Sequence, residues 1–251
     1  MVDPDVRDLT MHGWASFYRP YSIANRQEAL RSFERALELD RQSVDARIGL
    51  ALVLLSNIAD VWTSSVHADE ARAEQLLLEA IERDAHRSMA RLAMGMLRRL
   101  QNRLALSRVE LETAIALDGN NARAFRQLGQ TMMFLGQPEA AIPHIEKAIQ
   151  LNPRDPNIAI EYRASGLCNL FLGRVEEAID LLARARAANP RIWSMHLYLA
   201  GALGFSGDLV EARAALADAM RLKPEINSLA RLRAFCRGSP IRNIGRCSKK
   251  L

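Results

Sequence analysis

The side chains best able to do chemistry in this sequence are arginines that recur at helical spacing among methionines and leucines. Arg99, Arg123, Arg126 and Arg163 each fall in a segment with an apolar stripe. A guanidinium group binds a carboxylate through paired, charge-assisted hydrogen bonds. Methionine adds adaptable apolar contact. This combination predicts recognition of an acidic group.

Motifs of common catalytic sites are absent from the sequence. We find no nucleophile elbow, no phosphate-binding glycine-rich loop, no HExxH helix and no paired metal carboxylates. Three cysteines and five histidines are scattered along the chain, without the spacing of a zinc site or a disulfide framework. We therefore predict a protein that is not an enzyme and that binds no metal or cofactor.

The composition is that of a soluble helical protein. Hydrophobic residues make up 49% of the chain, charged residues 25% and aromatic residues only 6%. The longest apolar run, at 48–55, is far shorter than the roughly 20 residues that cross a bilayer. The first twenty residues lack the apolar core of a secretory signal. We expect a cytoplasmic protein with no membrane partner.

Positive charge is concentrated at the C-terminal end. Seven of the 34 basic residues, and none of the 29 acidic ones, lie in 228–251. This segment has one aromatic residue, Phe235, and no recognisable reading helix, so we do not expect nucleic-acid binding. We predict that 228–237 start a capping helix and that 238–251 form a basic, disordered tail.

An internal repeat organises the rest of the chain. The segments 125–153 and 196–224 match position for position without a gap. Each has two helical patterns, a glycine-containing turn between them and a closing proline. The second pattern carries a small, a large and a small residue at i, i+4 and i+7, which share one helical face. Six such triplets occur: Ala29–Phe33–Ala36, Ala73–Leu77–Ala80, Ser107–Leu111–Ala114, Ala141–Ile145–Ala148, Ala178–Leu182–Ala185 and Ala212–Leu216–Ala219.

The first helix of each unit carries a small residue where we expect two helices to approach closely. These residues are Gly13, Ala51, Gly95, Gly129, Gly166 and Ala200. Between the two helices, Gly136, Gly173 and Gly207 are expected to adopt the left-handed conformation that ends a helix. Closing prolines end the second helices, and they are Pro153, Pro190 and Pro224.

A helix-turn-helix unit of 34 residues with these positions resembles the tetratricopeptide repeat. The resemblance covers about 90% of the chain. It implies an all-α fold, a right-handed superhelical solenoid of about six helix pairs over 1–227. The expected repeats span about 6–43, 44–87, 88–121, 122–155, 156–192 and 193–226.

Three repeats are longer than the rest. Residues 19–22 lengthen the first, 57–68 lengthen the second, and 156–158 precede the fifth. Insertions in such repeats map to loops on one side, often a functional side. Trp62 lies in the longest insertion. It either closes over the neighbouring repeat or serves as an exposed anchor for a partner.

The first helices of such a stack line an inner groove, where we expect a partner protein or peptide with an acidic group to bind. Arg126 and Arg163 hold the same position in successive repeats, so their heads should lie close together. The alternative is that these arginines only solvate a concave surface. The predicted groove residues are Leu92, Met96, Arg99, Arg123, Arg126, Gln130, Met133, Arg163 and Leu167.

Some segments show a closer resemblance. DLTMHGWASFYRP, the stretch at 151–190 and the phrase LARLRAF resemble the C-terminal repeat region of bacterial class III adenylate cyclases and of winged-helix regulators with such repeats. An effector domain precedes that region in both groups, and this chain begins almost at its first repeat. The sequence thus leaves two interpretations open: an independent interaction module or scaffold, and a regulatory portion or remnant of such a protein.

Overall fold

Every secondary-structure element in the described part of the chain is helical. The structure, a computed structural model, describes residues 4–60 and 62–226. The predicted all-α helical-repeat solenoid is confirmed, whereas the predicted cap and tail at 228–251 lie outside the described residues. The elements are α1 (Pro4–Tyr18), α2 (Ile23–Leu39), α3 (Val44–Ala59), α4 (Val66–Arg83), α5 (Ser88–Leu100), α6 (Leu104–Leu117), α7 (Ala122–Phe134), α8 (Pro138–Leu151), α9 (Ala159–Phe171), α10 (Val175–Ala188), α11 (Trp193–Ser206), α12 (Leu209–Leu222) and a 3-10 turn (Pro224–Ile226).

The chain divides into two compact units, an N-terminal unit of residues 1–127 and a C-terminal unit of residues 128–251. Within each unit, a helix packs against the next one along the chain. The N-terminal unit contains the pairs α1–α2, α3–α4 and α5–α6, and the C-terminal unit contains α9–α10 and α11–α12. The repeat boundaries given above stay a prediction.

Glycine allows the close approach within a pair, as the sequence predicts. A Cβ added at Gly13 of α1 would stand 2.7 Å from the ring of Phe33 in α2. Gly49 of α3, which belongs to the next pair and is not among the predicted small residues, packs on the same ring, and a Cβ there would also overlap it. Phe33 is fully buried. Its ring therefore packs directly on the backbones of α1 and α3.

The same contact recurs in the later pairs. A Cβ at Gly95 would lie 2.5 Å from Cγ of Leu111, and Ser107 Oγ donates a 2.8 Å hydrogen bond to the Gly95 carbonyl. In the C-terminal unit the equivalent contacts join Gly129 to Ile145 and Gly166 to Leu182.

Five of the six predicted triplets are buried, and the sixth is only partly buried. In α12 the small residue Ala219 is buried, but Leu216 is 39% exposed. The reason is position, because α12 is the last α-helix in the described residues and no later described α-helix packs on it. The periodicity of the sequence predicts the apolar face of each second helix. How much of that face is buried depends on the helices that pack against it.

Helix ends follow the predicted punctuation. Gly136, Gly173 and Gly207 have φ of 78°, 74° and 89°, in the left-handed region that favours glycine. The pair α5–α6 has no glycine at this point. There Asn102 takes the left-handed conformation with φ of 60°, which asparagine tolerates better than most residues.

The loop in the predicted insertion at 57–68 is shorter than the insertion itself. Helix α3 continues through Ala59 and α4 already begins at Val66. Half of these twelve residues, 57–59 and 66–68, therefore belong to the two helices. A second predicted insertion, 19–22, is a non-helical link between α1 and α2, and Ser22 caps α2 by accepting a hydrogen bond from the Asn25 N–H.

The glycine contact gives a stability prediction. Gly95→Ala should lower the free energy of unfolding by about 1–3 kcal/mol, because the new methyl group overpacks against Leu111. Gly201→Ala is the matched control, since nothing lies within 4 Å of a Cβ there and alanine favours a helix by about 0.5–1 kcal/mol. Urea unfolding followed by circular dichroism measures both changes.

A double variant tests whether the contact itself is responsible. Leu111→Ala on its own should cost about 2–5 kcal/mol by leaving a cavity. In the Gly95→Ala background it should cost less, because the added methyl group then has room. Strict additivity of the two losses would show that the clash is not the cause.

Candidate partner-binding site

Arg26 is the first residue of the candidate site. It belongs to α2, the second helix of its pair, and its side chain extends back to α1. It lies in the first turn of α2 and is buried. Its Nη1 donates a 2.7 Å hydrogen bond to the carbonyl of Phe17, in the last turn of α1. Carbonyls at a helix C-terminus lack helical partners and favour a cation. The short link after α1 thus brings a cation to the end of that helix.

The Phe17 ring holds two guanidinium groups. The Arg26 guanidinium carbon lies 4.0 Å from the ring centroid, and that of Arg123, from α7, lies 4.5 Å from the same centroid. Arg123 is also 5.6 Å from the ring of Tyr18. Phe17 itself is buried. Cation–π attraction is strongest where water is excluded, so both contacts are favourable here.

Arg126 brings a third positive charge. It is buried in α7, one turn beyond Arg123. Burial, followed by the charges of Arg123 and Arg126, lowers the pKa of Arg26 to about 9, which leaves it cationic at neutral pH. We call Arg26, Arg123 and Arg126 the arginine cluster. Like charges this close favour an anion at the same place.

The aromatic contacts continue to the inserted loop. The Arg26 guanidinium carbon lies 5.4 Å from the ring of Tyr21, and the Tyr21 ring lies 4.7 Å from that of Trp62. Trp62 is half-buried. Arg123, Phe17, Arg26, Tyr21 and Trp62 therefore form a continuous series, which we call the cation–π ladder. Trp62 packs on Tyr21 of the link between α1 and α2, and its predicted contact with a partner stays a prediction.

The remaining predicted residues of the N-terminal unit are buried. Leu92 and Met96 are buried side chains of α5 that belong to the apolar core. Arg99 is buried too, and its Nη2 donates a 2.8 Å hydrogen bond to Oε1 of Gln127. In this conformation Leu92 and Met96 contribute to packing, and their contact with a partner stays a prediction.

The C-terminal unit contains the other four predicted residues. Met133 and Leu167 belong to one apolar cluster, with Ile145 and Cys168. Arg163 is half-buried, and its Nη1 lies 3.3 Å from Ser194 Oγ.

The expected pairing of two arginines stays a prediction. Gln130 is buried. Arg126 belongs to the N-terminal unit and Arg163 to the C-terminal unit.

Sequence reasoning missed Arg26, Phe17 and Tyr21. The predicted groove residues all come from α5, α7 and α9, whereas Arg26 lies in α2, Phe17 in α1 and Tyr21 in the link between those two helices. One signal was present: Arg26 and Arg123 both lie in the first turn of a helix, where a positive charge opposes the helix dipole. A cation in that position suggests a tertiary partner.

The described residues supply little for catalysis. No group of three or more histidine, cysteine, aspartate or glutamate side chains suited to a metal ion occurs among them. Cys168 is buried, and burial raises the pKa of its thiol to about 12, which disfavours the nucleophilic thiolate. No helix in the described part of the chain is long and apolar enough to cross a membrane.

Two family models match the chain, and both describe tetratricopeptide repeats. One covers residues 21–57 and the other residues 132–203. These matches support the tetratricopeptide repeat family. A search of curated proteins found no match. The first match contains Tyr21 and Arg26, so part of the ladder lies within a matched tetratricopeptide repeat.

Solved structures share this tetratricopeptide repeat fold. The chain is similar to one in the Cut9–Hcn1 hetero-tetramer of the APC/C, with a TM-score of 0.73 and 18% identity over 94% of this chain and 43% of that one. It is also similar to YrrB, a TPR protein with an unusual peptide-binding site, with a TM-score of 0.50 and 21% identity over 77% and 93% of the two chains.

A third similar structure is the human IFIT1 dimer with m7Gppp-AAAA, with a TM-score of 0.74 and 17% identity over 86% of this chain and 50% of that one. The chain thus spans half or less of the Cut9–Hcn1 and IFIT1 chains. At these identities the likeness shows the fold alone.

The cation–π contacts give a prediction. A double-mutant cycle between Phe17→Leu and Arg123→Met should show a coupling of about 2 kcal/mol in the free energy of unfolding, as expected for a desolvated pair. The matched control is Tyr162 and Arg184, whose guanidinium carbon lies 4.3 Å from the ring while the arginine stays half-exposed. Its coupling should be about 0.5–1 kcal/mol. Equal couplings would contradict the assignment of Phe17 as a buried platform.

Proposed function

We propose that the chain is a non-catalytic interaction protein that binds an acidic segment of a partner protein at the arginine cluster. Tetratricopeptide repeat proteins are generally protein-interaction scaffolds, and two such models match this chain. The observation that carries the proposal is the placement of two guanidinium groups on the buried ring of Phe17, with Arg126 close enough to affect the pKa of Arg26.

Physical chemistry supports an acidic partner. Guanidinium groups that are already fixed by aromatic faces lose little freedom when they bind a carboxylate. The N-terminal ends of α2 and α7 add partial positive charge at the same place. Tyr18 is 46% exposed beside Arg123 and offers apolar contact at the edge of the cluster.

The regulatory interpretation rests on the resemblance of the sequence to adenylate cyclase-like and winged-helix regulators. In that reading the same arginine cluster binds an acidic segment of an effector domain. The geometry supports the binding step equally in both cases, so the interaction module is the proposal that we carry forward.

A peptide-display selection tests the proposal. Peptides of twelve residues selected on the full chain should be enriched in aspartate and glutamate. Arg123→Gln should weaken their binding about tenfold or more, since it removes a charge-assisted hydrogen bond. Arg191→Gln, an exposed arginine of the C-terminal unit, is the control and should leave affinity unchanged. Fluorescence anisotropy of labelled peptides gives the dissociation constants.

Two results would contradict this function. One is selection of peptides without acidic residues. The other is binding of a single-stranded RNA oligonucleotide that depends on Arg123 when no peptide binds, because the cluster would then serve a nucleic acid.

A further inference from the structure

Two of the three lengthened segments of the sequence meet in the N-terminal unit. Tyr21 lies in the link 19–22, Trp62 lies in the loop after α3, and their rings are in contact. Next to this contact the structure has a pocket of about 270 Å³, which we call the loop pocket. Its lining includes Ile23, Arg26, Leu30, Leu54, Trp62 and Arg72.

The burial of these residues shows how the loop pocket is arranged. Ile23 is 51% exposed and Arg72 is also exposed, so they mark the mouth. Leu30 and Trp62 are half-buried walls. Leu54 and Arg26 are buried, so they form the base. A ligand entering the pocket therefore passes Leu30 and Trp62 before it reaches the base, and the polar residues Gln27, Asn57 and Thr63 complete the lining.

The charges around the loop pocket favour one anionic group at the base. At the mouth, Arg72 is already paired with Glu34, at 2.9 Å, and Asp69 also lines the pocket. The base is different, because the charges of Arg123 and Arg126 act on Arg26, and its Nε is buried without a hydrogen-bond partner among the described residues, as is Oδ1 of the lining residue Asn57. Buried donors of this kind are rare unless something satisfies them.

Size and shape limit what fits. Pockets for drug-sized ligands measure roughly 300–1,000 Å³, and the loop pocket is smaller at about 270 Å³. It suits a single side chain. The side chain must have an apolar stem to contact Leu30 and Leu54 and an anionic end to reach Arg26. Glutamate has both, and aspartate has a shorter stem.

We propose that the loop pocket binds one glutamate side chain of the partner protein, with its methylene groups between Leu30 and Trp62 and its carboxylate on Arg26. This inference rests on the proposed function and makes it more specific. It assigns the cation–π ladder a role, since the ladder fixes the Arg26 guanidinium at the base and places Trp62 at the wall.

Trp62 provides a direct measurement. In the full chain with Trp14→Phe and Trp193→Phe, Trp62 is the remaining tryptophan. The probe is the peptide acetyl-Ala-Glu-Ala-amide, and it should change the Trp62 emission in a saturable way. The glutamine counterpart should bind at least tenfold more weakly because it lacks the charge, and the aspartate counterpart should be intermediate.

Two variants test the site itself. Arg26→Met removes the cation, and Leu30→Phe fills the loop pocket without changing any charge. Each should weaken the glutamate peptide at least tenfold. Leu106→Phe is the matched control, because Leu106 is an exposed leucine of the same unit outside the pocket, and it should have no effect. Circular dichroism checks that each variant is folded, and Leu30→Phe keeps the test valid if Arg26→Met is not.

Three results would overturn the inference. They are equal binding of the glutamate and glutamine peptides, undiminished binding by Leu30→Phe, and equal binding of acetyl-Ala-Gln-Ala with a free C-terminal carboxylate. Failure here is distinguishable from failure of the proposed function. If displayed acidic peptides depend on Arg123 but tolerate Leu30→Phe, the cluster binds acidic groups and the loop pocket does not.

Discussion

The structure depends on the close approach of paired helices, in which a glycine backbone packs against one large apolar side chain. Phe33 is held in this way by Gly13 and Gly49, and Leu111 by Gly95. Such contacts leave no room for a Cβ, so they fix the separation of the helices to within a fraction of an ångström. Because α1 is fixed by its contact with Phe33, its last turn and Phe17 are fixed as well. The position of Phe17 in the candidate site therefore depends on how the helix pairs pack.

Positive charge is tolerated in the interior of the N-terminal unit because aromatic faces accompany it. Three buried or half-buried arginines would be costly in an aliphatic core. Here the Phe17 ring lies against two of them, and the carbonyl at the end of α1 accepts a hydrogen bond from Arg26. The charges of Arg123 and Arg126 also act on Arg26, and this is the physical basis of the anion site that we propose.

The proposed binding of an acidic partner depends on where the arginines lie and not on the net charge of the chain. Outside residues 228–251 the chain has slightly more acidic than basic residues. Nevertheless, cations gather at the arginine cluster, because helix ends bring Arg26 and Arg123 onto the same ring. The two lengthened links complete this arrangement by placing Tyr21 and Trp62 beside it.

Periodicity alone determined the helical-repeat fold, the small residues at helix contacts and the left-handed glycines. These features are local, because each follows from spacing within about 34 residues. The sequence also singled out Arg123, Arg126 and Trp62, but it could not show which residues meet them. Arg26 and Phe17 were decided by tertiary structure, since contact between α7 and the end of α1 depends on how three helix pairs stack. Small changes in the packing angle and separation of each helix pair add up between α1 and α7. A short sequence pattern does not predict the resulting position of α7 relative to α1.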